Sequence, residues 1–395
     1  MKNPSAGFLP WRRTVILTVA LPLMISLAVM AYAWPASRIA PRDLPVGVVG
    51  TSTASQHAIE GLSRNKPGGF DFHLYPDQAS ARAAIKSREV YGAFAVTAGN
   101  VTVLEASAAS TSVAQMLTTV GQQLADHAAK SPTGDAAPSS TTSHRTTAQK
   151  RVATAPRVGV RTVDVVPSSA DDPRGVVFNS ALLPLTICSI LIAVLIAMSG
   201  IQMPAWRRVV DLFAACAATG LAAYLVAQGL LGALPHDPVS TWAALSLTML
   251  AISATGVGLI TLIGSRGLGV SAALMVFIGN PFSGITSAPE LLPKAVSDVG
   301  QWLPPGAGAS LLRGTAYFDG NGSAGSIAVL VLWCVLGLTA VTFGRRTPTA
   351  TVELISGDGP GADGTSTSPV VTETPALSPT PANHSHSHGR HTAHE

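Results

Sequence analysis

Within a long apolar stretch the chain reads Ile278-Gly279-Asn280-Pro281-Phe282-Ser283-Gly284. Proline has no backbone N–H and glycine adds freedom, so a kink is expected, with a carbonyl left lacking its helical donor. Irregular backbone is tolerated at membrane depth only where protein or a watery cavity satisfies it. Asn280 is one of few strongly polar side chains in the apolar part of the chain, and an amide facing lipid is costly. Asn280, Pro281 and Gly284 are therefore expected to border a substrate path. Trp302 and Arg313 are expected outside them, in the loop 289–325, where Lys294 and Arg313 are the two basic residues. Arg313 suits an anionic head group met from outside. The structural alternative is that Pro281 merely bends its helix and Arg313 pairs with Asp298 or Asp319.

Other chemistry is sparse. The sequence has no G-x-x-x-x-G-K-[ST] phosphate loop, no H-E-x-x-H, no G-x-S-x-G and no Cys/His zinc pattern. The chain cannot hydrolyse ATP alone, and no catalytic constellation or cofactor is expected. His57, His73, His127 and His144 are scattered without ligand spacing, as surface histidines are. His384, His386 and His388 are spaced closely enough to chelate Zn²⁺, Ni²⁺ or Cu²⁺. Nothing around them fixes a geometry, so a plain polar tail explains them as well. Cys188, Cys216 and Cys334 each fall in an apolar run and read as small packing side chains.

The elements that must position these residues follow from composition. The chain of 395 residues is 47% hydrophobic and 12% charged, with a mean hydropathy of +0.37. A soluble domain is typically about one quarter charged, so much of this chain does not face water. Its apolar residues cluster into six runs near the ~20 residues that cross ~30 Å of hydrocarbon. The runs are 14–34, 178–200, 209–234, 242–264, 268–288 and 326–343. The first could also be a signal peptide ending at Ala31-Tyr32-Ala33, but it is longer than a usual apolar core of that kind. Asp211 is the one acid inside a run, close enough to Arg207 and Arg208 to pair at an interface.

The positive-inside rule places both termini in the cytoplasm, with Arg12, Arg13, Arg207, Arg208, Arg266, Arg345 and Arg346 on that side. The expected fold class is thus membrane α-helical: one plus five transmembrane helices with an inserted small α/β extracytoplasmic domain. The expected divisions are 1–34 (N-terminus and first helix), 35–176 (outer domain, with a disordered insertion at 131–157), 177–346 (five-helix membrane domain, re-entrant near 289–320) and 347–395 (disordered His-containing tail). In the outer domain, strands are expected at 45–49, 70–75, 91–97, 101–105 and 158–166. Helices are expected at 56–64, after a cap at Asp77, and at 110–130.

The stretch ITSAPELLPKAVSDVGQWLPPGAGASLLRGTAYFDG, residues 285–320, resembles the region before the last helix of ABC-2-type transporter permeases. DLPVGVVG (43–50), REVYGAFAV (88–96), LEASAAS (104–110) and DDPRGVVFNSALLPL (171–185) resemble their YhgE/Pip and DUF3533-like relatives, which carry a large outer domain. The resemblance implies dimerisation into a pathway for lipid-like or polymeric cargo, contact with membrane lipids and a separate ATPase partner. The Arg residues sit at helix ends, where membrane topology puts them, so no nucleic-acid partner is expected. The loop 201–208 is short, which leaves little surface for an ATPase to grip. A competing expectation is a non-transporting cell-envelope protein whose outer domain binds a ligand or partner.

Overall fold

A computed structural model of the chain describes residues 9–50, 53–97, 100–130, 159–199, 203–234 and 237–344. The expected insertion at 131–157, the tail at 347–395 and its His384, His386 and His388 lie outside the described residues.

The chain enters on α1 (Leu9–Ser37) and then builds an α/β domain of β1 (Leu44–Val49), α2 (Thr53–Asn65), β2 (Phe70–Tyr75), α3 (Gln78–Lys86), β3 (Gly92–Thr97), β4 (Asn100–Glu105), α4 (Thr111–Lys130) and β5 (Gly159–Asp164). The sheet order is β2-β1-β3-β4-β5. β1 runs parallel to both β2 and β3, as helical crossovers require, while β3 and β4 form an antiparallel hairpin. β5 then pairs parallel to β4. Asp77 caps α3 by accepting the Ser80 N–H at 2.7 Å, and the Ser80 hydroxyl, donating to the same carboxylate at 2.6 Å, followed by that N–H, holds its carboxyl below the usual range. The core takes the inward residues of the central strands and one face of α4: Leu44, Val46, Phe94, Val101, Val103 and Leu117 are all buried.

After the sheet come α5 (Val176–Ser199), α6 (Ala205–Tyr224) with a π-helical end (Leu225–Leu230), α7 (Pro238–Ile263), α8 (Arg266–Ala272), a π-helical segment (Ala273–Gly279) and α9 (Asn280–Phe282). A 3₁₀ turn (Pro289–Leu291), α10 (Lys294–Trp302), α11 (Pro304–Tyr317) and α12 (Ala324–Phe343) complete the chain. Among the described residues, five helices are long and apolar enough to cross a membrane: the described part of α1, α5, α6 with its π end, α7 and α12. The remaining run, 268–288, is helical over 266–282, shorter than those five but within the roughly 17–25 residues that can cross a bilayer. Pro281 cannot extend the ladder, and Gly284 adopts φ +67°, a left-handed conformation that glycine takes without strain. Pro281 therefore sits in a closing turn instead of kinking a continuous helix. Asp211 is exposed, and none of the ion pairs among the described residues includes it.

Helix direction is legible from paired contacts. Ser253 Oγ donates to the Ser189 carbonyl at 2.8 Å, and one turn on Gly256 abuts Ala193. Gly337 lies against the Ala254 backbone, Gly258 against Gly337 and Ala340, and Gly344 against Thr261. Both pairs of numbers rise together, so α5, α7 and α12 run parallel. Their first residues share the end that carries the sheet. Small residues at these contacts let the backbones close in, the packing mode available where lipid supplies no hydrophobic drive between helices.

Candidate functional site

Between α8 and α9 the ladder changes register. The Asn280 N–H bonds to the Met275 carbonyl, an i to i−5 step that belongs to the π-helix. The next residue in that register is Pro281, which has no N–H to give to the Val276 carbonyl. That carbonyl is met from elsewhere: Tyr32 on α1 donates its hydroxyl to it at 2.9 Å. A local defect in one helix thus fixes the position of another helix 244 residues away in sequence.

Beside this joint lies a cavity of about 240 Å³. Tyr32, Pro35, Ala36 and Ile39 of α1 and its exit form one wall, and Asn179, Leu182 and Leu183 of α5 form another. Asn280, Pro281 and Gly284 close it with the segment to Leu292. Asn280 is 7% exposed, and its Nδ2 has no hydrogen-bond partner. The pocket is smaller than the roughly 300–1,000 Å³ typical for drug-sized ligands. It is apolar at Ile39, Leu182 and Leu183 and polar at Asn179, Asn280, Thr286 and Ser287.

Arg313 does not face outward as expected. It is 6% exposed on α11, and its Nη2 donates to the Ile285 carbonyl at 2.8 Å. Its guanidinium carbon lies 5.0 Å from the Phe178 ring centroid, a cation–π arrangement. Phe178 in turn meets Tyr317 edge to face at 6.1 Å. None of the ion pairs among the described residues includes Arg313, so the alternative of pairing with Asp298 or Asp319 is also corrected. Arg313 lines a void of about 20 Å³, room for one water. That void shares Asn179, Ile285, Thr286 and Ser287 with the larger cavity. Trp302 joins neither: it is 62% exposed, and its carbonyl accepts from Trp333 Nε1 at 2.8 Å, midway along α12.

The segment 284–292 that floors the cavity is tied to the α/β domain. The Ser110 hydroxyl donates to the Ser287 carbonyl, and the Tyr91 hydroxyl to Glu290 Oε2 at 2.6 Å. Burial first, and then the Glu290 carboxylate, push the Tyr91 phenol well above its usual pKa. The link from α1 joins in: Ala40 N and Arg42 Nη1 both donate to the Leu291 carbonyl, at 3.0 and 2.7 Å. Arg88, at the end of α3, donates to the Ser310 carbonyl at 3.2 Å and lies over Phe318. The sequence reading missed Tyr32, Asn179, Tyr91 and Glu290. Asn179 had a usable signal, as an amide one turn into an apolar run. The other three are placed by long-range folding.

Residues 12–205 match the family model described as ABC-2 family transporter protein. The matched stretch takes in all but the first residues of α1, the whole sheet and α5, and it stops at the first residue of α6. The strings at 43–50, 88–96, 104–110 and 171–185 fall inside it, whereas the stretch 285–320 lies beyond it. No curated protein and no solved structure matches the chain. The five apolar helices found among the described residues mark a membrane protein, and the matched stretch is similar to this transporter family.

Proposed function

We propose that the chain is the membrane subunit of an ABC-2-type exporter for lipophilic or polymeric cargo, of the YhgE/Pip or DUF3533-like kind. In this reading it resides in the cell membrane, pairs with a second permease subunit and is driven by a separate ATPase. The observation that carries it is the cavity between α1 and α5, floored by Asn280, Pro281 and Gly284, in a chain whose first half matches the family. Arg313 borders the path from the adjoining void.

The path is tested by Asn280→Leu and Arg313→Ala in cells. Both should abolish the export phenotype while Asn280→Leu accumulates at the wild-type level. Activity retained in both, or lost only with the protein itself, would sink the assignment. The partner is tested by affinity purification from native membranes. An ATPase should co-purify in stoichiometric amount. Its absence would favour a non-transporting envelope protein, a reading supported by the short link between Ser199 and Ala205.

The same proposal puts the α/β domain outside and both termini inside. In sealed cells a membrane-impermeant thiol reagent should label cysteines introduced at Ser139 and Asp237, in a background without native cysteines. It should leave a cysteine at Ser265 unlabelled, and labelling there would refute this topology.

A further inference from the structure

The cavity between α1 and α5 carries no charge of its own: none of the described residues that line it is acidic or basic. Arg313 stands behind it, against the Ile285 carbonyl and the Phe178 ring, with the Tyr91 and Glu290 side chains acting on its charge. An ion entering the cavity would lose its water without meeting a countercharge, which is costly. What the cavity does hold is an open acceptor. Asn280 is more than nine-tenths buried, and its Nδ2 is sealed from the cavity without a partner. The polar atom it leaves accessible is the acceptor Oδ1, which no donor among the described residues reaches. On the α5 wall Asn179 is half-buried and likewise has no hydrogen-bond partner among the described residues. A buried acceptor left unmet costs the desolvation of the group, which a donor in the cavity recovers. Both observations select an occupant that is uncharged and donates hydrogen bonds.

The rest of the wall is apolar. Ile39, just past α1, and Leu182 and Leu183 on α5 form it, and Leu183 is 39% exposed. α1 packs chiefly on the π-helical segment and α9, not on α5, so the two walls are not sealed against each other. Both helices are long and apolar enough to cross a membrane, which puts the gap between them against hydrocarbon chains. The volume of about 240 Å³ fits a small polyol with the roots of its chains, not a whole lipid.

We propose that this cavity binds the hydroxyl-bearing head of an uncharged membrane amphiphile, its O–H groups donating to Asn280 Oδ1 and meeting the Asn179 amide while its chains lie along Leu182 and Leu183. This rests on reading the cavity as part of the cargo path, and it adds the class of cargo.

The test uses the purified full-length chain in phosphatidylcholine nanodiscs, without any ATPase, read by native mass spectrometry and melting midpoint. The probes are dioleoylglycerol, which has a free O–H, and its acetyl ester, which has the same chains and no charge but no donor. Wild type should retain dioleoylglycerol about 5-fold better than the ester, the scale of one net hydrogen bond. Dioleoylphosphatidic acid at equal concentration should not displace it. Asn280→Leu should reduce the preference to about twofold or less without lowering the lipid-free melting midpoint, because it also deletes a sealed donor. Leu183→Trp, which adds bulk to the apolar wall and leaves both amides in place, should weaken binding of both glycerides. Equal retention of the two glycerides in wild type, a preference unchanged in Asn280→Leu, unweakened binding in Leu183→Trp, or displacement by dioleoylphosphatidic acid would overturn the proposal. So would equal protection by free glycerol, which would make the ligand a soluble polyol. Failure here leaves the exporter reading intact, whereas a missing ATPase partner removes that reading without touching this measurement.

Discussion

Gly337→Ala is expected to cost the folded protein about 3 kcal/mol or more, at or above the top of the usual overpacking range. The added Cβ would overlap the backbone carbonyl carbon of Ala254 on α7. Backbone cannot rotate aside as a side chain would, so α7 and α12 must separate along their parallel contact. α7 carries the largest buried share of the five apolar helices, so opening its packing exposes the centre of the bundle. Gly325→Ala is the matched control. It changes the same residue type in the same helix, and a Cβ there meets nothing within 4 Å. Relief of glycine's extra unfolded-state freedom should leave that variant neutral or slightly more stable, by up to about 1 kcal/mol. Melting midpoints and the monodisperse fraction after detergent extraction check the pair. Equal melting of the two variants would show that the α7–α12 contact is not as close as described.

Asp172→Ala should be nearly as damaging, for an electrostatic reason. Asp172 is 4% exposed just before α5, and its carboxylate accepts from the N–H groups of Val176, Val177 and Phe178 at 2.7, 2.9 and 3.3 Å. These are orphan donors of a helix N-terminus, where negative charge also complements the helix dipole. Removing the carboxylate leaves them buried without partners, at a cost of about 2–4 kcal/mol. Asp172→Asn keeps one acceptor oxygen and should recover about 1 kcal/mol of that. The consequence reaches the cavity, because α5 holds both Phe178, under the Arg313 guanidinium, and Asn179, in the wall shared by the two voids. Thermal melting of the three proteins tests this. Wild-type melting of Asp172→Ala would remove Asp172 as the anchor of α5.

Local rules were enough for much of the fold. The alternation Phe70, Phe72, Leu74 lies in β2, and Asp77 caps α3 in the register its side chain implies. Four apolar runs correspond to α5, α6, α7 and α12 because ~20 apolar residues have few other stable solutions. The run 268–288 ends as a helix earlier than expected, for a reason written in the sequence but read too simply. Pro281 and Gly284 end a helix as readily as they bend one, and only the packing of 284–292 against the α/β domain selects the ending.

By itself, then, the sequence determined that this chain is a membrane protein, where its strands and most of its apolar helices lie, and that Asn280, Pro281 and Gly284 form an irregular point worth a cavity. Those properties depend on composition and spacing within about twenty residues. Tertiary structure decided what surrounds that point. It supplied Tyr32 to the carbonyl that Pro281 leaves open, brought Asn179 opposite Asn280, buried Arg313 against Phe178 and left Trp302 on an outer face. The reason is physical: each of those outcomes depends on which distant segment satisfies a buried polar group, and nothing in the spacing of neighbouring residues specifies a partner one or two hundred positions away.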